Sequence, residues 1–459
     1  MEHNSPDTSK HSQPHLPDKD IREILDAIKS QDSDTVYAAL SELSVTDAAE
    51  FISKIREEDR QELLSMYGEA LNPETFAEMD QELIRASLSS MPPSYVAKII
   101  SSLESDDALA LVETLDTELR HKVISKLPKQ TRTALHEGLN FPEDSAGRLM
   151  RREMVAVPDF WTVGQTIDYL RTDANSLPEE FFDIFIIDPA HHLTGEIPLN
   201  RLIRAERSEV IHNLRLDEAH PISAMMDQEK VAHMFRRDDI VSAPVVDDSG
   251  RLIGTITIDD IIDVIDEEAQ EDILRMAGVD QGDLYRAVIS TTGLRFRWLF
   301  VNLITAVLAS IVISLFGATI EQIIALAILM PIVASMGGNA GTQALTVAVR
   351  AIATHELSET NTWRIIWKET IVGLFNGILF ALITGILAAL WFQMPMLGIV
   401  IAMAMIINLI VAGLCGAGIP LLLHKMGSDP AISSTVLLTT VTDVIGFLSF
   451  LGLATLLMT

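Results

Sequence analysis

The chain has 459 residues, 48% of them hydrophobic, and a formal net charge of −30 at pH 7. Six basic and six acidic residues lie after Ser290, so the whole excess of negative charge belongs to residues 1–290. This charge excludes nucleic acid as a partner, because phosphate binding requires the opposite sign. The single cysteine, Cys415, excludes an intramolecular disulfide.

Residues 1–145 contain no strand pattern. The first 19 residues are polar and lack the apolar core of a signal peptide, which predicts a disordered tail. Residues 20–145 place apolar residues three and four apart between Pro, Asn and Asp punctuation, as in residues 92–115. We therefore expect an all-α superhelical domain in the cytoplasm.

Residues 146–267 contain an internal repeat with an offset of 59 residues. The segment 186–203 aligns with 245–262, and Asp188 matches Asp247. Each copy has the pattern of a helix followed by strand, turn, strand and helix. The repeat resembles a pair of CBS domains, small α/β modules that bind regulatory ligands.

The CBS nucleotide signature has an acidic residue three positions after Ser or Thr. Thr257 and Asp260 fit this signature in the second copy, whereas Pro198 and Arg201 break it in the first. The sequence leaves open whether an adenine nucleotide binds at the CBS pair.

The last third of the chain contains five apolar segments, each long enough to cross about 30 Å of hydrocarbon. The basic residues around them all fall on the side of the N-terminal domains, which predicts a cytoplasmic amino end and a carboxyl end outside the cell. The predicted spans are 297–317, 320–351, 366–393, 396–423 and 430–458.

The second span carries polar and helix-breaking residues in its middle. Pro331 and the glycines of residues 337–341 predict an interrupted helix, which a membrane tolerates beside protein or a water-filled path. Asn339 and Gln343 add side-chain oxygens, which favours a pore-lining role. Close helix packing through small residues is the alternative.

The fifth span contains one ionisable residue, Asp443. A charge there costs at least about 2.5 kcal/mol, so we expect it to face a polar interior. Thr435, Thr439 and Asp443 recur every four residues and share one helical face. Mg²⁺ suits this oxygen-lined stripe because it keeps several of its waters, whereas zinc or copper would favour His or Cys. A structural carboxylate bonded to a neighbouring helix is the alternative.

Five motifs in one order resemble the MgtE family of magnesium transporters. They are FPEDSAGRLM at 141–150, the CBS pair, EEAQEDILRMAGV at 267–279, GGNAGTQ at 337–343, and the DPA and TDV segments of the last span. The resemblance implies a homodimer in the lipid of the cell membrane, whose pore on the two-fold axis binds hydrated Mg²⁺ between the two copies of Asp443. It also implies that a connecting helix at about 268–292 acts as a gating plug.

The resemblance further implies a cytosolic magnesium sensor made of carboxylates. The matching positions are Asp106 in the helical domain, Glu229, Asp239, Asp260 and Asp263 in the second CBS copy, and Glu268, Glu271 and Asp272 in the connecting helix. Carboxylates that face one another repel at low Mg²⁺, and bound cations let their domains close. High internal Mg²⁺ should therefore shut the pore. Ala110 departs from the family pattern, which has a second acid after Asp106, and Thr342 departs from it in the second span.

The sequence thus predicts a multidomain membrane protein with an all-α superhelical N-terminal domain, an α/β CBS-domain pair and an α-helical transmembrane domain of five spans. The predicted domains are a tail (1–19), the helical domain (20–145), two CBS domains (146–212 and 213–267), the connecting helix (268–292) and the transmembrane domain (293–459). We expect a Mg²⁺-selective channel that cytosolic Mg²⁺ closes, and no enzyme. One alternative is a divalent cation channel that prefers Co²⁺ or that conducts divalent cations broadly. The other is a membrane-anchored CBS sensor that does not conduct.

Overall fold

The computed structural model divides the chain into two compact units, residues 1–268 and 269–459. The structure describes residues 18–30, 32–172, 177–178, 180–216, 219–279, 288–354, 356–357, 361–427 and 429–458.

The first part of unit one is a stack of short helices. They are α1 Asp18–Lys29, α2 Ser33–Glu42, α3 Val45–Lys54, α4 Glu57–Tyr67, α5 Gln81–Ser89, α6 Pro93–Ser102, α7 Ser105–Thr114, α8 Thr117–Ile124 and α9 Lys129–Gly138. Side-chain caps at Asp32, Ser44 and Asp80 accept the free N–H groups of α2, α3 and α5. Fully buried Phe51 and Phe76 belong to one core that runs through the stack. The predicted helical domain is confirmed.

The second part of unit one contains two small mixed sheets of the same design. The first copy has β1 Ala156–Pro158, α11 Val163–Thr172, β2 Asp183–Ile187, β3 Leu193–Pro198 and α12 Leu199–Arg204, after the short α10 Ala146–Leu149. The second has β4 Ile222–Ser223, α13 Gln228–Asp238, β5 Ser242–Val246, β6 Leu252–Thr257 and α14 Ile258–Met276. In each copy the first strand pairs parallel to the second and the second pairs antiparallel to the third. The predicted CBS pair is confirmed.

The equivalent turns of the two copies, which join β2 to β3 and β5 to β6, contact each other. Leu193 N–H donates to the Gly250 carbonyl at 3.1 Å, and Leu252 N–H donates to the His191 carbonyl at 3.0 Å. Leu252 is the equivalent of Leu193, and Gly250 is the equivalent of His191, each at the repeat offset of 59. The two bonds are therefore equivalent, and the two turns pair around a local two-fold axis.

Glu196 is a buried carboxylate in β3, and one of its oxygens has no hydrogen-bond partner among the described residues. Burial, with the neighbouring charge of Asp183, raises the pKa of Glu196 to about 7. The unfolded chain loses this proton near pH 4.5 and the folded chain only near 7, so the stability of the domain falls as pH rises through that window.

We therefore expect Glu196→Gln to stabilise the first CBS copy at pH 8 by about 2 kcal/mol and to change little at pH 4.5. Hydrogen exchange of the β3 amides in the full chain measures this difference. Equal destabilisation at both pH values would mean that the effect of Glu196→Gln on stability comes from side-chain shape and not from charge.

Unit two contains the membrane helices. They are α15 Val288–Ser314, the short α16 Gly317–Gln322, α17 Ala325–Ala353, α18 Thr362–Phe392, α19 Pro395–Lys425 and α20 Pro430–Met458. Within the described residues, five of these, all but α16, are long and apolar enough to cross a membrane, which confirms the five predicted spans.

Helix α19 is the central helix of this bundle, and glycines let its neighbours approach closely. Gly398 faces the backbone of Gly385 on α18, and Gly416 faces the backbone of Gly341 on α17. Small residues at such crossings are the usual means of packing helices in lipid.

The predicted interruption of the second span is wrong. Helix α17 is continuous from Ala325 to Ala353 and passes through Pro331 and all three glycines. Two of the glycines are packing positions, since a Cβ on Gly337 would meet Asn408 of α19 and one on Gly341 would meet Leu438 of α20. A Cβ on Gly338 would meet no atom within 4 Å. For Gly337 and Gly341, the packing alternative is the correct one.

The connecting helix was predicted over residues 268–292. In the structure, helix α14 begins ten residues earlier, at Ile258, and ends at Met276, and α15 begins at Val288. Residues 280–287 of the predicted helix lie outside the described residues.

Candidate functional site

Among the described residues of unit one, a group of charged side chains surrounds Arg151, whose own side chain is only 9% exposed. Its guanidinium lies 3.0 Å from a carboxylate oxygen of Glu104 and 3.7 Å from one of Asp106, both in the helical domain. It lies 3.1 Å from Asp259 and 3.2 Å from Asp260, both in the second CBS copy. One buried cation therefore joins acids from two domains.

Two helix starts bring these acids together. Asp106 lies in the first turn of α7, which Glu104 precedes, and Asp259 and Asp260 lie in the first turn of α14. Negative side chains are favourable at both starts because the helix dipole is positive there. Arg151 is held between them by two backbone hydrogen bonds with Thr255 of β6, at 2.9 and 2.8 Å.

Four of the acids around Arg151 have raised pKa values, chiefly because they are buried, whereas the pKa of Asp259 is lowered. Burial and the charge of Asp260 raise the pKa of Asp106 well above its usual range, and they raise the pKa of Asp107 to about 6. Burial also raises the pKa values of Glu104 and Asp260. Oδ1 of Asp106 is buried without a hydrogen-bond partner among the described residues. The cluster therefore favours additional positive charge.

A second electrostatic interaction between the same domains involves Asp263 and Glu78. Burial raises the pKa of Glu78, and the charge of Asp263 raises it further. Burial also raises the pKa of Asp263, and Asp260 and Asp259 add to the effect. Acids of the helical domain therefore face acids of α14 along its first two turns.

The other acids predicted in the second CBS copy lie along the pair of helices α13 and α14. Gln228 donates to Glu268 at 2.7 Å, and Ile258 N–H donates to the Val241 carbonyl at 2.9 Å, so the two helices run antiparallel. Glu229, next to Gln228, is therefore at the Glu268 end of the pair. Asp239, the left-handed residue that ends α13, is at the end where α14 begins. The predicted acids thus divide between two ends about 15 Å apart, the length of α13.

The end of α14 is bound to the membrane helices within unit two. Arg275 pairs with Glu271 of its own helix and lies 2.5 Å from Asp429, just before α20. The Thr435 hydroxyl donates to the Met276 carbonyl at 3.1 Å. The Met276 side chain packs in a cluster with three residues of the membrane bundle that are buried and two that are half-buried: Leu345, Val349, Leu438, Cys415 and Ile419. Asp272 follows Glu271 on this bound segment.

The predicted pore residue Asp443 lies halfway along α20. It is half-buried and makes no hydrogen bond or ion pair with the described part of the chain. Thr439, one turn before it, donates its hydroxyl to backbone carbonyls of its own helix at 3.0 and 3.1 Å, which leaves its oxygen able to accept. The alternative of a carboxylate bonded to a neighbouring helix is not what the structure shows.

Helix α17 carries a polar stripe on its exposed face. The side chains of the stripe, all exposed, are Ser335, Asn339, Thr342, Gln343 and Thr346. The hydroxyls of Thr342 and Thr346 donate to carbonyls one turn back, and the Asn339 amide reaches only the Ser335 hydroxyl, at 3.5 Å. A polar face on a membrane helix is expected to meet water or another protein chain.

The structure brings some predicted site residues together and leaves others apart. Asp106 meets Asp260 around Arg151, and Glu268 meets the start of α13 beside Glu229. Among the described residues, no three His, Cys, Asp or Glu side chains are close enough to hold a metal ion by themselves. The sequence missed Arg151, Glu104, Asp107 and Asp259 as members of the cluster.

Comparisons with known proteins agree with this architecture. Three family models match: divalent cation transporter at residues 330–453, MgtE intracellular N domain at 43–144, and CBS domain at 217–267. The chain is 31% identical to the magnesium transporter MgtE of Enterococcus faecalis over 441 residues, which are 95% of this chain and 96% of the relative. It is 33% identical to the magnesium transporter MgtE of Thermus thermophilus over 356 residues, 77% of this chain and 78% of the relative.

A solved structure also resembles unit one. The cytosolic domain of the Mg²⁺ channel MgtE in complex with ATP is 26% identical, with a TM-score of 0.50, and the match covers 53% of this chain and 99% of that domain. The matched full-length relatives are transporters and not enzymes, as the sequence predicted. The chain therefore belongs to the MgtE family of magnesium transporters.

Proposed function

We propose that this protein is a Mg²⁺-selective channel for magnesium uptake and that cytosolic Mg²⁺ closes it. The observation that carries the proposal is the combination of the polar stripe on α17 with Asp443 on α20. Both are membrane helices, and within the described residues Asp443 makes no hydrogen bond and the Asn339 amide reaches only the Ser335 hydroxyl of its own helix. A conducting path accounts for this polarity, whereas a membrane-anchored sensor without a pore does not.

The transported ion is held through its waters. Mg²⁺ dehydrates reluctantly, and one carboxylate in a wide polar path suits an ion that keeps most of its hydration shell. A single chain offers one such carboxylate, so we propose a homodimer in the lipid bilayer whose two copies of Asp443 face the same ion. Asn339 and Thr439 line the path on either side.

The ion gradient and the membrane potential supply the driving force. An inside-negative potential contributes about 2.3 kcal/mol per elementary charge per 100 mV, and twice that for a divalent ion. Closure by cytosolic Mg²⁺ requires the N-terminal domains to lie in the cytoplasm of a cell membrane, which places the carboxyl end outside after five spans.

The gate combines the acids of unit one with the end of α14. At low Mg²⁺, the acids Asp106, Asp260 and Asp263 repel one another across the domain contact; bound Mg²⁺ offsets the repulsion and closes the domains. Along α13 and α14, the repulsion of Glu229, Asp239 and Glu268 at low Mg²⁺, and its relief by bound Mg²⁺, act in the same direction. Closure then holds the segment from Glu271 to Met276, with Asp272, against the membrane helices.

An adenine nucleotide is a second proposed ligand of the CBS pair. The Thr257 hydroxyl donates to Asp260 at 2.9 Å, so the signature pair of the second copy is in place. A relative's cytosolic domain has been solved in complex with ATP. Binding of ATP to the purified full chain, and its loss in Thr257→Ala, tests this ligand.

The proposed function predicts Mg²⁺ uptake into proteoliposomes that contain only this protein. With the cytoplasmic side free of Mg²⁺, we expect uptake that rises with an inside-negative potential and that Co²⁺ and Ca²⁺ inhibit only weakly. Equal uptake of the three ions would support a broad divalent channel. The absence of any flux from a folded dimer would support the non-conducting sensor.

A further inference from the structure

Asn408 lies in the middle of α19, where α17, α19 and α20 meet. Its side chain is fully buried. The amide nitrogen donates to the Val333 carbonyl of α17 at 2.8 Å. The amide oxygen is also buried and has no hydrogen-bond partner among the described residues.

Two glycines make room for this side chain. A Cβ added to Gly337 of α17 would overlap the Asn408 amide, and a Cβ added to Gly446 of α20 would come within 2.9 Å of its nitrogen. The Asn408 side chain therefore fills a space that glycines on two different helices leave open.

Packing alone does not explain an asparagine here. A buried acceptor without a partner costs free energy comparable to a lost hydrogen bond, and lipid-embedded helices pack well through small apolar residues. Most buried polar groups are paired, so an unpaired one in a native protein indicates a role beyond stability.

The turns that Asn408 touches are those that carry the pore residues. Asn339 is two residues after Gly337, and two residues on a helix point to nearly opposite sides, so Asn339 is exposed in front while Gly337 is buried behind. Asp443 precedes Gly446 by three residues, which is less than one turn. Asn408 thus contacts α17 on the side opposite Asn339, and it contacts α20 at Gly446, on nearly the same face as Asp443.

We propose that Asn408 is a positioning residue for ion selection, which sets the separation between the Asn339 turn of α17 and the Asp443 turn of α20. The inference rests on the proposed function, because it assumes that these two residues line the path. A hydrated ion is recognised by the spacing of the oxygens around it, so a shift of either turn changes the preference among divalent cations. Such a residue acts without touching the ion.

The experiment compares variants of the full-length protein in proteoliposomes, with uptake of Mg²⁺ and Co²⁺ measured separately. Asn408→Ala removes the contact, and Gly337→Ala displaces the same amide from the other side. We expect each to lower the ratio of Mg²⁺ to Co²⁺ uptake about tenfold, since displacements of about 1 Å have large effects on recognition. Gly418→Ala, on the same helix but with no neighbouring atom within 4 Å, is the matched control and should keep the wild-type ratio.

The outcomes separate this inference from the proposed function. If wild-type protein takes up no Mg²⁺, the proposed function fails. If wild-type protein takes up Mg²⁺, and Asn408→Ala and Gly337→Ala both conduct with the wild-type ratio of Mg²⁺ to Co²⁺ uptake, the positioning role is overturned. Should either of these variants fail to assemble, the milder Gly446→Ala decides: the atom nearest to its new methyl is the Asn408 amide nitrogen, at 2.9 Å, which is farther away than in Gly337→Ala, and the same change in the Mg²⁺ to Co²⁺ ratio is expected.

Discussion

Replacing Asp443 with asparagine is expected to lower Mg²⁺ uptake at least a hundredfold, without loss of the folded protein. A divalent ion about 6 Å from a carboxylate, with one water layer between them, gains roughly 5 kcal/mol at an effective dielectric constant of 20. Asparagine keeps the shape and the oxygen but loses this charge. Flux into proteoliposomes, together with growth of a magnesium-transport-deficient bacterium, measures the effect.

The control for this prediction is another acid of the membrane unit. Glu321 in the short helix α16 is exposed, and Glu321→Gln makes the same chemical change away from the proposed path. We expect this variant to transport like the wild type. Full transport by Asp443→Asn would place the ion path elsewhere.

Replacing Arg151 with alanine is expected to raise the Mg²⁺ concentration that half-closes the channel by at least about tenfold. The change leaves four acids of two domains facing each other without their buried counter-charge, and breaking such a pair costs about 3–5 kcal/mol. Bound Mg²⁺ has to supply the missing charge, so closure requires more of it. Flux at a series of cytosolic Mg²⁺ concentrations measures the shift.

The neighbouring arginine is the matched control. The Arg152 side chain pairs at 2.6 Å with exposed Glu137, and such exposed pairs contribute at most about 1 kcal/mol. Arg152→Ala should therefore close at the wild-type Mg²⁺ concentration. Adding Asp260→Asn to Arg151→Ala should restore part of the closure. An unchanged Mg²⁺ response in Arg151→Ala would show that the cluster has no part in gating.

The sequence predicts the elements of this fold because each leaves a local pattern. The offset of 59 residues places β2 and β5 at equivalent positions, and the apolar lengths locate the five spans. The glycines of α17 predict an interruption from sequence, but Gly337 and Gly341 serve close packing in the structure. Whether these glycines interrupt the helix or pack against a neighbour depends on Asn408 and Leu438. Their contacts with α17 are tertiary and leave no local pattern in the sequence.

The candidate site is only partly readable from the sequence for the same reason. Asp106 and Asp260 are recognisable as acids at helix starts, but Arg151 lies 109 residues before Asp260, and nothing local pairs them. The polar stripe of α17 was more accessible. Ser335 and Thr346 lie at three- and four-residue spacing from Asn339 and Gln343, so the helical period of 3.6 residues places them on the same face.

The most direct test of the account is Mg²⁺ flux through purified wild-type protein while Mg²⁺ on the cytoplasmic side is stepped from zero to millimolar concentrations. The account predicts a large inward flux at zero that falls steeply as Mg²⁺ occupies the acids around Arg151, α13 and α14. Potassium at matched ionic strength should not reproduce the fall. A flux that is independent of cytosolic Mg²⁺ would contradict the proposal that the acidic half of the chain measures the ion that the membrane half admits.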